Sequence, residues 1–414
     1  MKKFTGECKM DQAKKLRVLY ITLSPIDTNT SATLRNKAVL KGLAENGVAI
    51  DLLTLSAIEN NNFFDRKVDK LDNVNIIRLA QNKAYSSLTK TNKSFIGRVK
   101  KILMPLARKV FHTFSLYDNT IYRARKLRKA DVPRDYYDLV ISSSDPKSSH
   151  IAAQKLISDG LGYGKWIQYW GDPMTADITK KSFHPRWYVK RTEKRILSKA
   201  DSIIYVSPFT LGRQEEMFPA YSHKMEFIVT PYMQPKIYEK DRVSSEGITI
   251  GYFGDYKSRV RDIGPIYRYA EKSNIRLVIA GNSDLELLPK ENIIIYPRIS
   301  QDEVSRLEEE ADVLLCILNK HGTQIPGKLY HYAATNKPIL VLLDGEHKGE
   351  MADYIKAFDR YIICDNNEIE IDKAINRIIQ QKEEWSPSQY FSPELVGRKF
   401  LIKADNHSWN WRSI

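Results

Sequence analysis

Residues 322–343 read G-T-Q-I-P-G-K-L-Y-H-Y-A-A-T-N-K-P-I-L-V-L-L, from Gly322 to Leu343. The stretch parses as loop, helix, turn and buried strand. Gly322 and Pro326-Gly327 make the loop. Lys328 to Thr335 are helix-compatible, with Leu329, Tyr332 and Ala333 able to share one face. Asn336-Lys337-Pro338 ends the helix. Ile339 to Leu343 is a continuous apolar run, expected of a parallel strand covered on both faces. A loop entering a helix presents free N–H groups at the positive end, where a diphosphate can sit. Lys328 adds a full charge there.

Outward from this stretch the chain alternates strand and helix. On its N-terminal side come strands at Ile248–Phe253, Arg276–Ala280, Ile293–Tyr296 and Asp312–Ile317, with helices at Pro265–Lys272 and Gln301–Ala311. After it come a strand at Tyr361–Cys364 and a helix at Glu368–Gln381. The first half opens with a strand at Leu16–Leu23, a polar loop at Ser24–Ser31, a helix at Ala32–Glu45 ended by Asn46-Gly47, and a strand at Val48–Leu55. Strands also fit Val74–Leu79, Tyr137–Ser143, Lys165–Trp170, Ser202–Ser207 and Phe227–Thr230, with helices beginning at His150 and Arg191. The expected architecture is α/β: two Rossmann-like, doubly wound domains facing a cleft. A disordered leader is expected over 1–15, the first domain over 16–230 and the second over 231–395, with a C-terminal tail over 396–414. Pro231 to Pro235 reads as the linker.

The chain has 414 residues, enough for two domains with sizeable cores. Its three cysteines, Cys8, Cys316 and Cys364, are odd in number and widely spaced. That usage fits a reducing compartment. No apolar core follows Met1-Lys2-Lys3, and no apolar run approaches the ~20 residues that span a bilayer. The expected location is cytoplasmic. A net charge of +15 calls for an acidic partner, and without a recognised nucleic-acid motif that partner is not expected to be nucleic acid. Between Lys93 and Lys129 Asp118 is the only acidic residue, and apolar residues from Ile96 to Phe114 interleave with Lys and Arg. This segment reads either as a membrane-surface helix or as a core-packed helix with a solvated basic face.

The chemistry-bearing residues fall where doubly wound sheets place ligands, beyond the C-terminal ends of strands. Gly251-Tyr-Phe-Gly254 is followed by Lys257, Arg259 and Arg261. Glycine lets a backbone approach a ligand closely, and arginine forks two phosphate oxygens. Asp172 ends an apolar strand in W-G-D-P, where it can serve as a general base or cap a helix. Ser24, Thr30 and Ser31 lie at the mouth of the first cleft. There is no Asp-x-Asp triplet and no Cys/His cluster with zinc spacing, so no metal and no resident cofactor is expected.

The opening stretch resembles the donor-site signature of GT-B-type glycosyltransferases, the family 4-like kind that are retaining, metal-independent and use nucleotide sugars. Many members carry P-x-K-x-x-E-Y-x-A and then G-K-P-I/V. Pro326, Lys328, Tyr332, Ala334, Lys337 and Pro338 match or nearly match. Two positions depart: His331 replaces the glutamate that would bind the nucleotide ribose, and Thr323 replaces its partner eight positions earlier. Glu193 to Ser207 is similar to the last part of a GT-B first domain. The resemblance implies a diphosphate site at Gly254, Arg259, Arg261, Thr323 and Lys328. It implies a nucleoside or sugar site at Gln324, Gly327 and His331, and an acceptor side at Ser24, Thr30 and Ser31 with Asp172. The activity implied is transfer from a nucleotide-diphosphate sugar to a glycan or lipid-linked acceptor in bacterial surface-polysaccharide synthesis, at the inner membrane face. A nucleotide-sugar 2-epimerase of the same fold and a non-catalytic sugar-nucleotide-binding protein remain open.

Overall fold

The computed structural model describes residues 15–57, 64, 71–80, 115–177, 183–239, 247–380 and 384–404. Two parallel sheets organise them. The first contains β1 (Arg17–Ile21), β2 (Ala49–Leu55), β3 (Val74–Leu79), β4 (Tyr136–Ser143), β5 (Gly162–Trp170), β6 (Ser202–Tyr205) and β7 (Met225–Phe227). Their order is β3-β2-β1-β4-β5-β6-β7. The second contains β8 (Thr249–Phe253), β9 (Arg276–Ala280), β10 (Ile293–Tyr296), β11 (Val313–Ile317), β12 (Ile339–Leu343) and β13 (Ile362–Asp365), in the order β10-β9-β8-β11-β12-β13. In each sheet the order reverses beside the first strand, at β1/β4 and at β8/β11. Those reversals open the crevices into which loops 22–30, 144–147, 254–263 and 318–326 project.

The strands read as apolar runs because helices cover both faces of each sheet. Val313–Ile317 is buried at every position, and Leu314 pairs with Ile339 in register. Local signals set the helix ends. Thr30 Oγ1 accepts from Thr33 N at 3.2 Å and starts the helix Ser31–Glu45; Gly47, at φ +78°, lets the chain turn away after it. The helix expected through Thr335 stops at Tyr332. There Thr335 Oγ1 donates to Tyr332 O at 2.9 Å and accepts from Lys337 N at 3.3 Å, so the side chain competes with the helical ladder.

Two further expectations are corrected. The last strand of the first sheet is Met225–Phe227, not Phe227–Thr230. β6 offers a short edge, and Ile228 N→Tyr205 O at 3.1 Å is where the chain leaves it to cross to the second domain. Helices also occupy Pro208–Met217 and Lys348–Lys356, for which no helix was expected. Of the basic segment Lys93–Lys129, residues 93–114 lie outside the described residues. Its end contributes a short helix, Ile121–Arg125, with Ile121 and Ala124 buried. Residues 1–14 of the expected leader and 405–414 of the tail also lie outside.

The C-terminal helix, Pro393–Ala404, returns from the second domain to lie against the helix Ser31–Glu45 of the first. Glycines permit the contact. A Cβ on Gly42 would sit 1.9 Å from Pro393 O, and one on Gly397 would sit 2.3 Å from Gly42 backbone atoms. Phe400 packs edge-on against Tyr169 at 5.1 Å between ring centroids, and Asn46 Nδ2 donates to Glu394 O at 2.8 Å. Lys403 pairs with Glu226 at the far end.

Backbone cannot move aside as a flexible side chain can, so Gly397→Ala is expected to destabilise by ~1–3 kcal/mol, the usual range for overpacking. Gly212, inside the helix Pro208–Met217, has nothing within 4 Å of its Cβ direction. Gly212→Ala is therefore expected to stabilise by ~0.5–1 kcal/mol. Thermal melts of the two variants should shift in opposite directions; a lowered midpoint for Gly212→Ala or an unchanged one for Gly397→Ala contradicts this packing.

Candidate active site

The second domain contributes a cluster of cations at the β8/β11 crevice. Gly254 follows β8, and a Cβ there would lie 3.7 Å from Lys328 Cε. Gly281 approaches Gly254 even more closely, because a Cβ on it would meet Gly254 O at 2.1 Å. Arg261 folds under this turn and donates through Nη1 to Asp255 O at 2.7 Å, while its buried Nε has no partner. Lys328 is half-buried, with Nζ 5.3 Å from the Tyr332 ring centroid. Burial lowers its pKa most; Lys236 and Arg261 push the same way, against the attraction of Glu308.

Glu308 is the carboxylate that answers these cations. It is fully buried and accepts from Lys236 Nζ at 2.8 Å. Burial opposes its ionisation, yet contact with His331 and the charges of Lys236 and Lys328 hold its pKa below the usual carboxylate range. His331 Nε2 lies 3.5 Å from Glu308 Oε1. Burial depresses the His331 pKa despite Glu308, so the neutral imidazole is favoured at neutral pH. The cluster thus contains Arg261, Lys236 and Lys328 against one carboxylate. Positive charge exceeds negative in a partly dry place.

The structure brings Gly254, Arg261, Lys328 and His331 to one crevice and leaves Arg259 exposed. Gly327 is exposed at the start of its helix, Gly327–Tyr332, which has only six residues. So short a helix adds little dipole, and the positive character comes from side chains. Thr323 turns toward the first domain: its carbonyl accepts from Ser207 Oγ at 2.8 Å, and its Oγ1 lies 3.1 Å from Thr210 Oγ1. Gln324 is buried, with Nε2 3.4 Å from Ala176 O and Oε1 without a partner. Lys337 has a structural place, donating to Glu309 O at 2.6 Å and Ala311 O at 2.5 Å at the end of the helix Gln301–Glu310.

The first domain answers with a mixed-charge cluster at the ends of β4 and β5. Lys147 Nζ bridges Asp145 Oδ1 at 3.0 Å and Asp177 Oδ2 at 3.1 Å. Burial works against the Lys147 charge, but Asp145, Asp177 and Asp172 outweigh it and raise its pKa. Arg35 donates to Ser144 O and lies over the Tyr169 ring at 5.3 Å. Asp172 sits within this cluster. Burial first, then Asp145 and Asp177, push its pKa up to about 7, against Lys147 and Arg35. The loop carrying Asp172 is pinned by buried Glu193, which accepts from Met174 N at 2.9 Å and Thr175 N at 2.8 Å.

Ser24 and Thr30 are engaged locally. Ser24 Oγ lies 3.2 Å from Thr33 Oγ1, and Thr30 caps its helix, whose first residue, Ser31, is exposed. Sequence reading missed Glu308, Lys147, Asp145 and Arg298. Arg298 joins the two domains, with Nη1 3.3 Å from Asp255 Oδ2 and Nη2 3.5 Å from Asn29 O. A cavity of about 290 Å³ also lies between the domains, with Asp177 on one wall and Thr323 on the other. Among the described residues no group of three or more His, Cys, Asp or Glu is placed to hold a metal ion. No helix among them is long and apolar enough to cross a membrane.

No family model matches the chain, and no curated protein matches it. Solved structures do match along nearly its whole length. The N-terminal domain of a Candida albicans trehalose-6-phosphate phosphatase is 13% identical, with 99% of this chain and 100% of that one covered and a TM-score of 0.53. A structure described as trehalose-6-phosphate from E. coli bound with UDP-2-fluoro glucose is 10% identical, covering 94% and 96%, with a TM-score of 0.51. AviGT4, a glycosyltransferase involved in avilamycin A biosynthesis, is 10% identical, covering 95% and 100%, with a TM-score of 0.49. At these identities the likeness speaks for fold alone. The two facing parallel α/β domains have the GT-B fold.

The raised Asp172 pKa has a measurable consequence. A carboxyl whose folded pKa exceeds its unfolded value stabilises the fold when protonated, and that contribution is lost as pH rises from ~4 to about 7. Asp172→Asn cannot ionise. Its melting temperature relative to the parent should rise across that window and level off above it. A pH-independent difference between the two would place Asp172 in an ordinary solvated setting.

Proposed function

We propose that the chain is a glycosyltransferase that moves a sugar from a nucleotide-diphosphate sugar to a glycan or lipid-linked acceptor. The observation that carries this reading is the excess of cations around Gly254. Arg261 and Lys328 stand in a crevice where three basic side chains share one buried carboxylate. A diphosphate entering there would balance the charge and give Arg261 Nε a partner. As the donor's glycosidic bond breaks, the leaving diphosphate gains charge, which preplaced cations stabilise most in a dry site. Across the cleft Asp172 has a pKa near the working pH, as suits a group that orients or deprotonates an acceptor hydroxyl. We take the reaction to be metal-independent and retaining, by resemblance, and its role to be in surface-polysaccharide synthesis.

Division of labour between the domains can be measured. Lys328→Ala and Arg261→Ala should each weaken nucleoside-diphosphate binding by ~1.5–3 kcal/mol in calorimetry. Asp172→Asn should bind as the parent does but turn over roughly 10²–10⁴-fold more slowly. A panel of nucleotide sugars reads both properties at once. Unchanged affinity in both cation variants would remove the donor site, and epimerised donor without transfer would replace the reading with that of a 2-epimerase.

We further propose that the segment Lys93–Lys129 holds the protein at an anionic membrane surface. Its interleaved apolar and basic residues support this. Co-sedimentation with vesicles should require anionic lipid and decline with salt. Equal binding to neutral vesicles would contradict it.

A further inference from the structure

We propose that the acceptor carries a phosphate group, and that Arg186 and Arg213 hold it in the cavity between the two domains. The proposal rests on the glycosyltransferase reading and names the acceptor's chemical class. Both arginines belong to the first domain, and Thr323 and Glu346 of the second domain lie among the residues that close the space. Its volume of about 290 Å³ has room for a phosphoryl group and part of a sugar.

The charges around the cavity do not cancel. Asp177 is satisfied by Lys147 at 3.1 Å. Glu346 stands at the rim with its side chain 72% exposed, 3.4 Å from His321 Nδ1, where water screens it. Arg186 and Arg213 make no ion pair or hydrogen bond among the described residues. Among the described residues, two guanidinium groups therefore stand at a concave space with their donors unengaged, the arrangement that grips phosphate oxygens in pairs.

The cavity also lies where an acceptor must be. Asp177, on the cavity wall, is paired with Lys147, whose cluster includes Asp172, so the cavity adjoins the cluster that holds the group assigned to the acceptor hydroxyl. Arg213 rides on the helix Pro208–Met217, whose Thr210 is bonded to Thr323 of the second domain. The anion site is thereby tied to the loop that precedes Lys328. Phe183 and Trp187, each 66% exposed, flank Arg186 in the chain and offer apolar footing to a lipid tail. The phosphate can belong to a lipid-linked acceptor or to a soluble phosphorylated sugar.

The test uses the full chain and inorganic pyrophosphate as probe. Calorimetric titration of the parent should resolve two sites. Arg186→Gln with Arg213→Gln should weaken one of them ~10-fold or more and leave nucleoside-diphosphate affinity unchanged. Lys328→Ala should weaken the other site and nucleoside-diphosphate binding together. Both arginines are exposed, so folding should persist, and melting temperature checks it. Two arms separate the sources. Arginine-dependent binding to neutral vesicles doped with a polyprenyl phosphate, lost in Phe183→Ser with Trp187→Ser, indicates a lipid-linked acceptor. Arginine-dependent binding of glucose 6-phosphate indicates a soluble one. Pyrophosphate binding that ignores both arginines, or neither arm depending on them, overturns the proposal. Loss of the Lys328 effect alone would count against the donor site and leave the arginine site standing.

Discussion

A parallel sheet has its backbone committed to neighbouring strands, so it can offer a ligand only the loops beyond its strand ends, and most openly where the strand order reverses. This chain builds two such reversals and turns them toward each other. The first exposes loops after Ile21 and Ser143; the second exposes loops after Phe253 and Ile317. Asp145, Lys147, Gly254, Arg261, Thr323 and Gln324 lie on these loops. The arrangement needs the domains held face to face, and the C-terminal helix helps to do this by crossing back onto the first domain. The crossing depends on the missing side chains of Gly42 and Gly397, since two backbones can pass at that distance only without a Cβ between them.

Charge is distributed unequally across the cleft, and the inequality follows from burial. In the first domain Asp145, Asp172 and Asp177 surround Lys147, with Arg35 close by, so acids outnumber the central cation and one of them resists ionisation. In the second domain Lys236, Lys328 and Arg261 surround Glu308, so bases outnumber the central carboxylate and Lys328 is the strained member. One side therefore favours a group that can accept a proton. The other favours a ligand that brings negative charge. Removing Glu308 would leave the three cations without their counter-charge, a change that typically costs ~3–5 kcal/mol for a buried pair.

Much of the fold was legible because parallel strands covered on both faces must be apolar throughout. Ile339–Leu343 occupies the bounds read from sequence, as do Arg276–Ala280 and Ile293–Tyr296; so does the edge strand Val74–Leu79, although its Asn75 and Arg78 are exposed. The helix Pro208–Met217 escaped notice because its apolar residues are sparse. Its start was nonetheless signalled by Ser207, whose Oγ accepts from Thr210 N, followed by proline at the first helical position. The site was less legible. Glu308 lies in a run of three glutamates that reads as a solvated face, and only the structure distinguishes the one turned inward against Lys236. Lys147 gains its meaning from Asp177, thirty residues further on.

His331 is not isolated in the crevice: Glu308, from the neighbouring helix, stands 3.5 Å away with its second oxygen fixed by Lys236. A carboxylate charge therefore stands beside the imidazole. With His331 neutral and Glu308 ionised, a proton on the imidazole nitrogen facing Glu308 leaves the other nitrogen able to accept a hydrogen bond. A glutamate at position 331 would instead place a second carboxylate beside Glu308, and two such groups cannot both ionise cheaply in a buried site. Histidine at 331 and glutamate at 308 are therefore mutually consistent choices.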